Sequence, residues 1–170
     1  MKDICFLIVE SKHSTTAELL LDLATEDVSN PYAWLSDNMI FSCNNIFPVP
    51  EDLHDEEEIL IWKLDNWGSS SDFEDLVYEA VLAENDGLSV YLKFKTSGGP
   101  PLKIIDELIA SHPDAVITFL VYSEYSEVIT RVTADSNIYI RETITPNDLR
   151  YYGVKQDITS DVFVYEALYG

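Results

Sequence analysis

Ile4 to Val9 is a short continuous apolar run containing β-branched residues, the pattern of a buried strand. Ser14 or Thr15 is placed to cap a following helix, with Glu18 completing an S/T-x-x-E box, and Leu19, Leu20, Leu23 and Val28 recur at helical spacing. Asn30-Pro31 ends that segment, and Tyr32 to Asp52 reads as irregular, closed by Pro48 and Pro50. Leu76–Leu82 and Leu88–Phe94 alternate in period two about the turn residues Asn85-Asp86-Gly87, which predicts a hairpin. After Gly98-Gly99-Pro100-Pro101, the stripe Leu102, Ile105, Leu108 and Ile109 predicts an amphipathic helix that stops before Pro113. Ala115–Tyr122 and Glu127–Thr133 read as a second hairpin, and Asn137–Thr143 as a further strand.

The order strand, helix, strand, strand, helix, strand is that of a split βαβ unit. It predicts an α+β, ferredoxin-like antiparallel sheet with two helices, Ser14–Val28 and Pro101–Ser111, on one face, plus extra strands. Thr145-Pro146 sets off a tail containing Tyr151, Tyr152, Phe163, Tyr165 and Tyr169, and so many aromatics predict that it docks on the body. The chain is therefore expected to form one domain over residues 1–170, with a core at about 1–145 and a docked extension at 146–170.

Several pieces recur in a recognisable order. They are Phe41-Ser42-Cys43-Asn44-Asn45-Ile46-Phe47-Pro48-Val49-Pro50-Glu51-Asp52-Leu53, then Trp62 with Asn66-Trp67-Gly68, then Leu88–Phe94 leading through Thr96 to Pro100-Pro101 and a helix ending His112-Pro113-Asp114. Over about residues 41–125 this set resembles the YubB-like ferredoxin-like domain family, small proteins carried mostly by plasmids and phages. The resemblance implies a fold and a mobile-element origin, and no reaction. The chain departs from the pattern by opening Met1-Lys2-Asp3-Ile4-Cys5-Phe6 where a Trp-bearing strand is expected. Ser69–Phe73 stands in place of a Lys-Trp-Asp-like piece, and Gly98-Gly99 in place of an aromatic.

Charge narrows the function classes. The chain has 31 Asp plus Glu against 10 Lys plus Arg, a net charge of -21, although its 46% apolar and 12% aromatic content is that of a folding chain. Such a field opposes phosphate backbones and anionic lipid surfaces, and it attracts basic protein surfaces and accelerates encounter with them. Cys5 and Cys43 lack C-x-x-C spacing and sit in apolar runs, as small buried hydrophobes do. The N-terminal apolar run is too short for a secretion signal, and no stretch reaches the roughly 20 apolar residues of a membrane-spanning helix, so a host-cell cytoplasmic location is expected.

No constellation of catalytic type emerges. His13, His54 and His112 lie far apart, and His112 falls at a helix C-terminus where a cation is favoured. The run Asp55, Glu56, Glu57, Glu58 after His54 lacks the spacing and glycine of a calcium loop, and reads as a solvated helix start or loop. Ser97-Gly98-Gly99 before a helix lacks the lysine of a phosphate loop, and its two prolines remove donors. Neither a metal nor a cofactor is expected. The expected role is that of a non-catalytic acidic binding protein, a stoichiometric inhibitor that occupies the basic nucleic-acid groove of a host defence or DNA-processing protein. Its candidate partner-binding residues are Glu18, Asp22, Glu26, Asp27, Asp52, Asp55, Glu56, Glu57 and Glu58, from the N-terminal third where acid is densest. Two alternatives stand beside it: an accessory protein-binding module, and a hydrolase using carboxylates beside a groove flanked by Trp62 and Trp67. The charge predicts that the purified protein at micromolar concentration does not retard duplex DNA at physiological salt; a salt-sensitive mobility shift would overturn that reading.

Overall fold

In the computed structural model, residues 2–23, 41–83, 85–123 and 128–170 are described. Among them are six strands and five helices: β1 (Lys2–Lys12), α1 (His13–Leu23), α2 (Glu56–Asn66), β2 (Glu74–Leu82), β3 (Gly87–Ser97), α3 (Leu102–Ser111), β4 (Ile117–Ser123), β5 (Ile129–Asp135), β6 (Ile138–Ile144), α4 (Pro146–Lys155) and α5 (Thr159–Tyr169). The strands form one sheet in the order β2-β3-β1-β4-β5-β6, and every neighbouring pair is antiparallel.

β1 lies inside the sheet because its apolar run has no polar face. Cys5, Phe6, Leu7, Ile8 and Val9 are all fully buried. Alternation then divides them: Cys5, Leu7 and Val9 join one core, and Phe6 and Ile8 join another on the opposite face. The first core receives Leu19, Leu20 and Leu23 of α1 and Ile104, Ile105 and Leu108 of α3, so these two helices share a face, with Trp62 of α2 packed beside them. The second core is closed by Leu149 of α4 and by Phe163, Val164 and Leu168 of α5. α4 and α5 form a helical pair covering the face that α1 and α3 leave bare. Gly153 of α4 makes this pairing close, because a Cβ there would lie 3.0 Å from both Asp161 Cβ and Val162 Cγ2 of α5.

Several local expectations change. α1 starts at His13, directly after β1, so Ser14 and Thr15 are inside the helix and do not cap it; Thr16 instead donates to the Leu88 carbonyl at 3.2 Å. The continuation of α1 to Val28 falls outside the described residues. The apolar segment Ile59–Trp62 belongs to α2, in which no residue is fully buried; one side of it meets the core and the other leaves Leu60 and Ile61 about half exposed. Thr145-Pro146 starts a helix: Thr145 and Asp148 form a reciprocal capping box, with Pro146 in the first turn.

The motif that stood out in the sequence is a packing joint. The Trp67 indole N–H donates to the Phe47 carbonyl at 2.9 Å, and the Trp67 carbonyl accepts from the Lys103 amide at 3.3 Å. Gly99 adopts φ +132°, and a Cβ there would stand 2.8 Å from the Gly68 carbonyl oxygen. The two turns thus interlock backbone to backbone and seat the start of α3 on the end of α2.

Ile105→Ala is expected to lower stability by about 2–5 kcal/mol, because Ile105 is fully buried between α3 and the sheet, whereas Leu60→Ala should change it by under about 0.5 kcal/mol. Urea or thermal unfolding of both variants checks the contrast.

Candidate functional site

The outward surface of the α1–α2–α3 layer carries charge of almost one sign. Glu18 and Asp22 project from α1, Glu56, Glu57, Glu58 and Asp65 from α2, and Asp106 and Glu107 from α3. Asp52 and Asp55 are exposed in the segment leading into α2. Only two lysines stand on these helices: Lys63 lies over the Trp67 ring at 5.2 Å, and the exposed Lys103 donates to the Asp65 carbonyl. The structure therefore gathers the predicted Glu18, Asp22, Asp52, Asp55, Glu56, Glu57 and Glu58 on one layer and adds Asp65, Asp106 and Glu107. Glu26 and Asp27 lie outside the described residues. Asp106 and Glu107 are separated from the first group by some fifty residues of sequence, and only the common face of α1 and α3 unites them.

The acidic run has a local structural basis. Asp55 caps α2, its Oδ1 accepting the amides of Glu57 at 2.9 Å and Glu58 at 3.1 Å. The three glutamates occupy the first turn, where the positive end of the helix dipole offsets their mutual repulsion. Asp22 Oδ2 stands 2.5 Å from His112 Nε2, which links α1 to the C-terminus of α3, where His112 was expected.

Trp62 and Trp67 do not flank an open groove. Their rings meet edge to face at 6.0 Å, Trp67 is only 1% exposed, and both belong to the core joint. The serine run is structural as well, since Ser70 Oγ donates to the Ser97 carbonyl at 3.0 Å and Ser71 Oγ accepts the Ser97 amide at 2.9 Å. Thr96 Oγ1 donates to the Gly99 carbonyl at 2.9 Å, so the polar groups of the glycine turn serve the fold. Both cysteines are fully buried; burial pushes the Cys5 thiol up to about 12 and the Cys43 thiol higher still, which suppresses the thiolate a nucleophile requires. Among the described residues no group of three His, Cys, Asp or Glu side chains is arranged to hold a metal ion, and no helix is long and apolar enough to cross a membrane.

One polar cluster escaped the sequence reading. On the α4–α5 face, Arg131 of β5 reaches Asp161 of α5, Nη2 to Oδ2 at 3.3 Å, with Glu142 of β6 at 3.7 Å from its Nε. Asp161 is 1% exposed. A cavity of about 350 Å³ beside the pair is lined by Arg131, Glu142, Thr143, Ile144, Asp148, Tyr152 and Ile158. Burial pushes the Asp161 carboxyl up against the opposing pull of Arg131, and burial followed by the charge of Asp161 pushes Glu10 up. Asp148 goes the other way, held below the ordinary carboxylate range by the backbone and side chain of Thr145. Arg131 and Asp161 are thirty residues apart, and neither carries a local signal of the other.

No protein-family model matches the chain, and neither does any curated protein or any solved structure.

The buried carboxylates set the sign of the pH response. Asp161 and Glu10 hold protons to higher pH in the folded chain than in the unfolded one, so their ionisation on raising pH removes stability. As pH falls from neutrality toward the ordinary carboxylate values of 3.8 and 4.5 the melting temperature should therefore rise, and the opposite contribution of Asp148 is lost only near and below 3.8. Thermal melts across this interval check the direction, and Asp161→Asn should flatten the slope; a melting temperature that falls with acidification would contradict it.

Proposed function

We propose that the protein is a non-catalytic acidic binding protein whose α1–α2–α3 layer occupies a basic, nucleic-acid-binding surface of a host protein and inhibits it stoichiometrically. The observation that carries this reading is the predominantly acidic helical layer, on which eight exposed carboxylates of α1, α2 and α3 stand against Lys63 and Lys103. The companion layer differs: α4 and α5 hold Asp148, Asp161 and Glu166 against Arg150 and Lys155, and Asp161 is buried. An excess of acid that served solubility alone would have no reason to favour one layer over the other. Leu60 and Ile61, exposed just past the acidic turn of α2, supply the apolar centre that a protein interface needs inside a charged rim.

The fold assigned to this protein within the proposal is ferredoxin-like. Its support is the order β1-α1-β2-β3-α3-β4, the strand sequence β2-β3-β1-β4 and the common face of α1 and α3. α2 is then an insertion, and β5-β6-α4-α5 an extension. The resemblance to YubB-like domains is the ground on which a mobile-element origin and action in the host cytoplasm are proposed. Its quoted motifs meet in the Phe47–Trp67–Gly99 joint, which accounts for them as fold determinants rather than as a ligand pocket.

The test is whether the protein abolishes DNA binding by a basic host protein at one-to-one stoichiometry, and whether salt reverses the association. Replacing Glu56, Glu57 and Glu58 together by Gln should weaken that association by about tenfold or more and flatten its salt dependence. Folding stability should change by under about 1 kcal/mol, since favourable helix-dipole terms and mutual repulsion are both removed. Undiminished affinity in the triple variant would remove this face from the interface.

A further inference from the structure

The two sheet edges among the described residues are built differently. β2 is guarded: a bulge separates Glu74 from Val77, Asp75 takes φ +51°, and Glu74 and Asp75 engage Lys2 and Lys95. Bulges and inward-turned charges are how natural edges resist pairing. β6 has no register shift against β5 and no lysine or proline, and it exposes Ile138, Tyr139 and Ile140 by 61%, 51% and 48%. A second exposed apolar patch, Tyr151, Tyr152 and Val154 of α4, lies on the face of the sheet to which Ile138 and Ile140 point.

We propose that a second copy of this chain covers the β6 edge, the two β6 strands pairing antiparallel about a two-fold axis at Ile140. The backbone fixes which residues can bond outward. Ser136 and Asn137, at φ +48° and +71°, make a two-residue hairpin turn, so Asp135 and Ile138 exchange hydrogen bonds across it. Counting from that pair, Ile138, Ile140 and Glu142 bond to β5, and Tyr139, Arg141 and Thr143 turn their N–H and C=O groups outward. A symmetric antiparallel pair that uses those groups has its axis on a residue of β6. An axis at Arg141 sets Arg141 against itself, and one at Glu142 sets like carboxylates together, both unfavourable. An axis at Ile140 sets Ile140 against its own copy and Tyr139 against Arg141 of the other chain.

That register is complementary in charge and in shape. Tyr139 donates to Asp106 Oδ1 at 3.4 Å, so the incoming guanidinium meets an aromatic ring and a carboxylate together. Ile138 comes to lie across from Glu142 of the second copy. Tyr152 lines a cavity with Glu142 and Thr143, so the bare Ile138 of one copy approaches the bare α4 surface of the other. A single two-fold contact thus covers both apolar exposures.

Sedimentation equilibrium of the full chain, at roughly 10 to 200 µM, tests the proposal. A dimer is expected, and its fraction should rise between about 50 mM and about 500 mM salt, because salt screens the repulsion between two copies of charge -21. Ile140→Cys should form an intermolecular disulfide under mild oxidation, since facing Cα atoms in a non-bonded antiparallel pair are about 4.5 Å apart and both native thiols are buried; Val77→Cys on the guarded edge should not. Arg141→Pro removes one outward N–H and no bond to β5, and should give a folded monomer, as should Ile140→Lys. A monomer at every concentration and salt, assemblies larger than a dimer, equal cross-linking at positions 77 and 140, or a dimer that survives Ile140→Lys would each overturn the pairing.

Discussion

The architecture depends on one constraint: β1 has no polar face. Five consecutive fully buried residues, Cys5 to Val9, force the strand to the sheet interior and require cover on both sides of it. One cover comes from α1 and α3, close to β1 in the topology, and the other from α4 and α5, the last elements of the chain. The C-terminal helices are thus no appendage. Phe163 packs edge-on against Phe6 at 6.4 Å and tilts on Tyr91 at 4.8 Å, so the end of the chain closes a core begun by its first strand.

What could be read from the sequence follows from how local each signal is. β1, the Asn85-Asp86-Gly87 hairpin and α3 are specified by adjacent residues, and each formed close to where the pattern placed it. α4 and α5 were legible only as aromatic density, because their apolar positions answer to a sheet face assembled from residues as distant as Phe6 and as near as Ile144. The acid run was visible, and its role as the first turn of α2 was anticipated as one of two readings. The union of Asp106 and Glu107 with Glu18 and Asp22 was not visible, since it follows from the helices' shared face. The Trp pair misled for a physical reason: amphipathic aromatics mark both grooves and cores, and burial alone separates the two.

A net charge of -21 is tolerated because, among the described residues, the fold leaves nearly every charged side chain at least partly exposed. Among those residues Asp161 is the buried one, and it stays opposite Arg131, with its carboxyl pushed toward the neutral form. That pair ties α5 to β5 and supplies a polar anchor under an otherwise apolar helical cover. Replacing one partner alone would strand the other charge.

The sheet also determines how far the acidic layer extends. A two-fold axis at Ile140 runs perpendicular to the sheet, so both copies keep their α1–α2–α3 layers on the same face. Twelve strands about 4.8 Å apart make that face roughly 50 Å across, the length of about fifteen base pairs. A single copy offers half of this, the length of about seven base pairs. The β6 edge and the helical layer then act on one face: pairing at the edge doubles its carboxylates and brings the two Arg141 side chains, which share the face of Tyr139, to its centre, each opposite a Tyr139 that bonds Asp106.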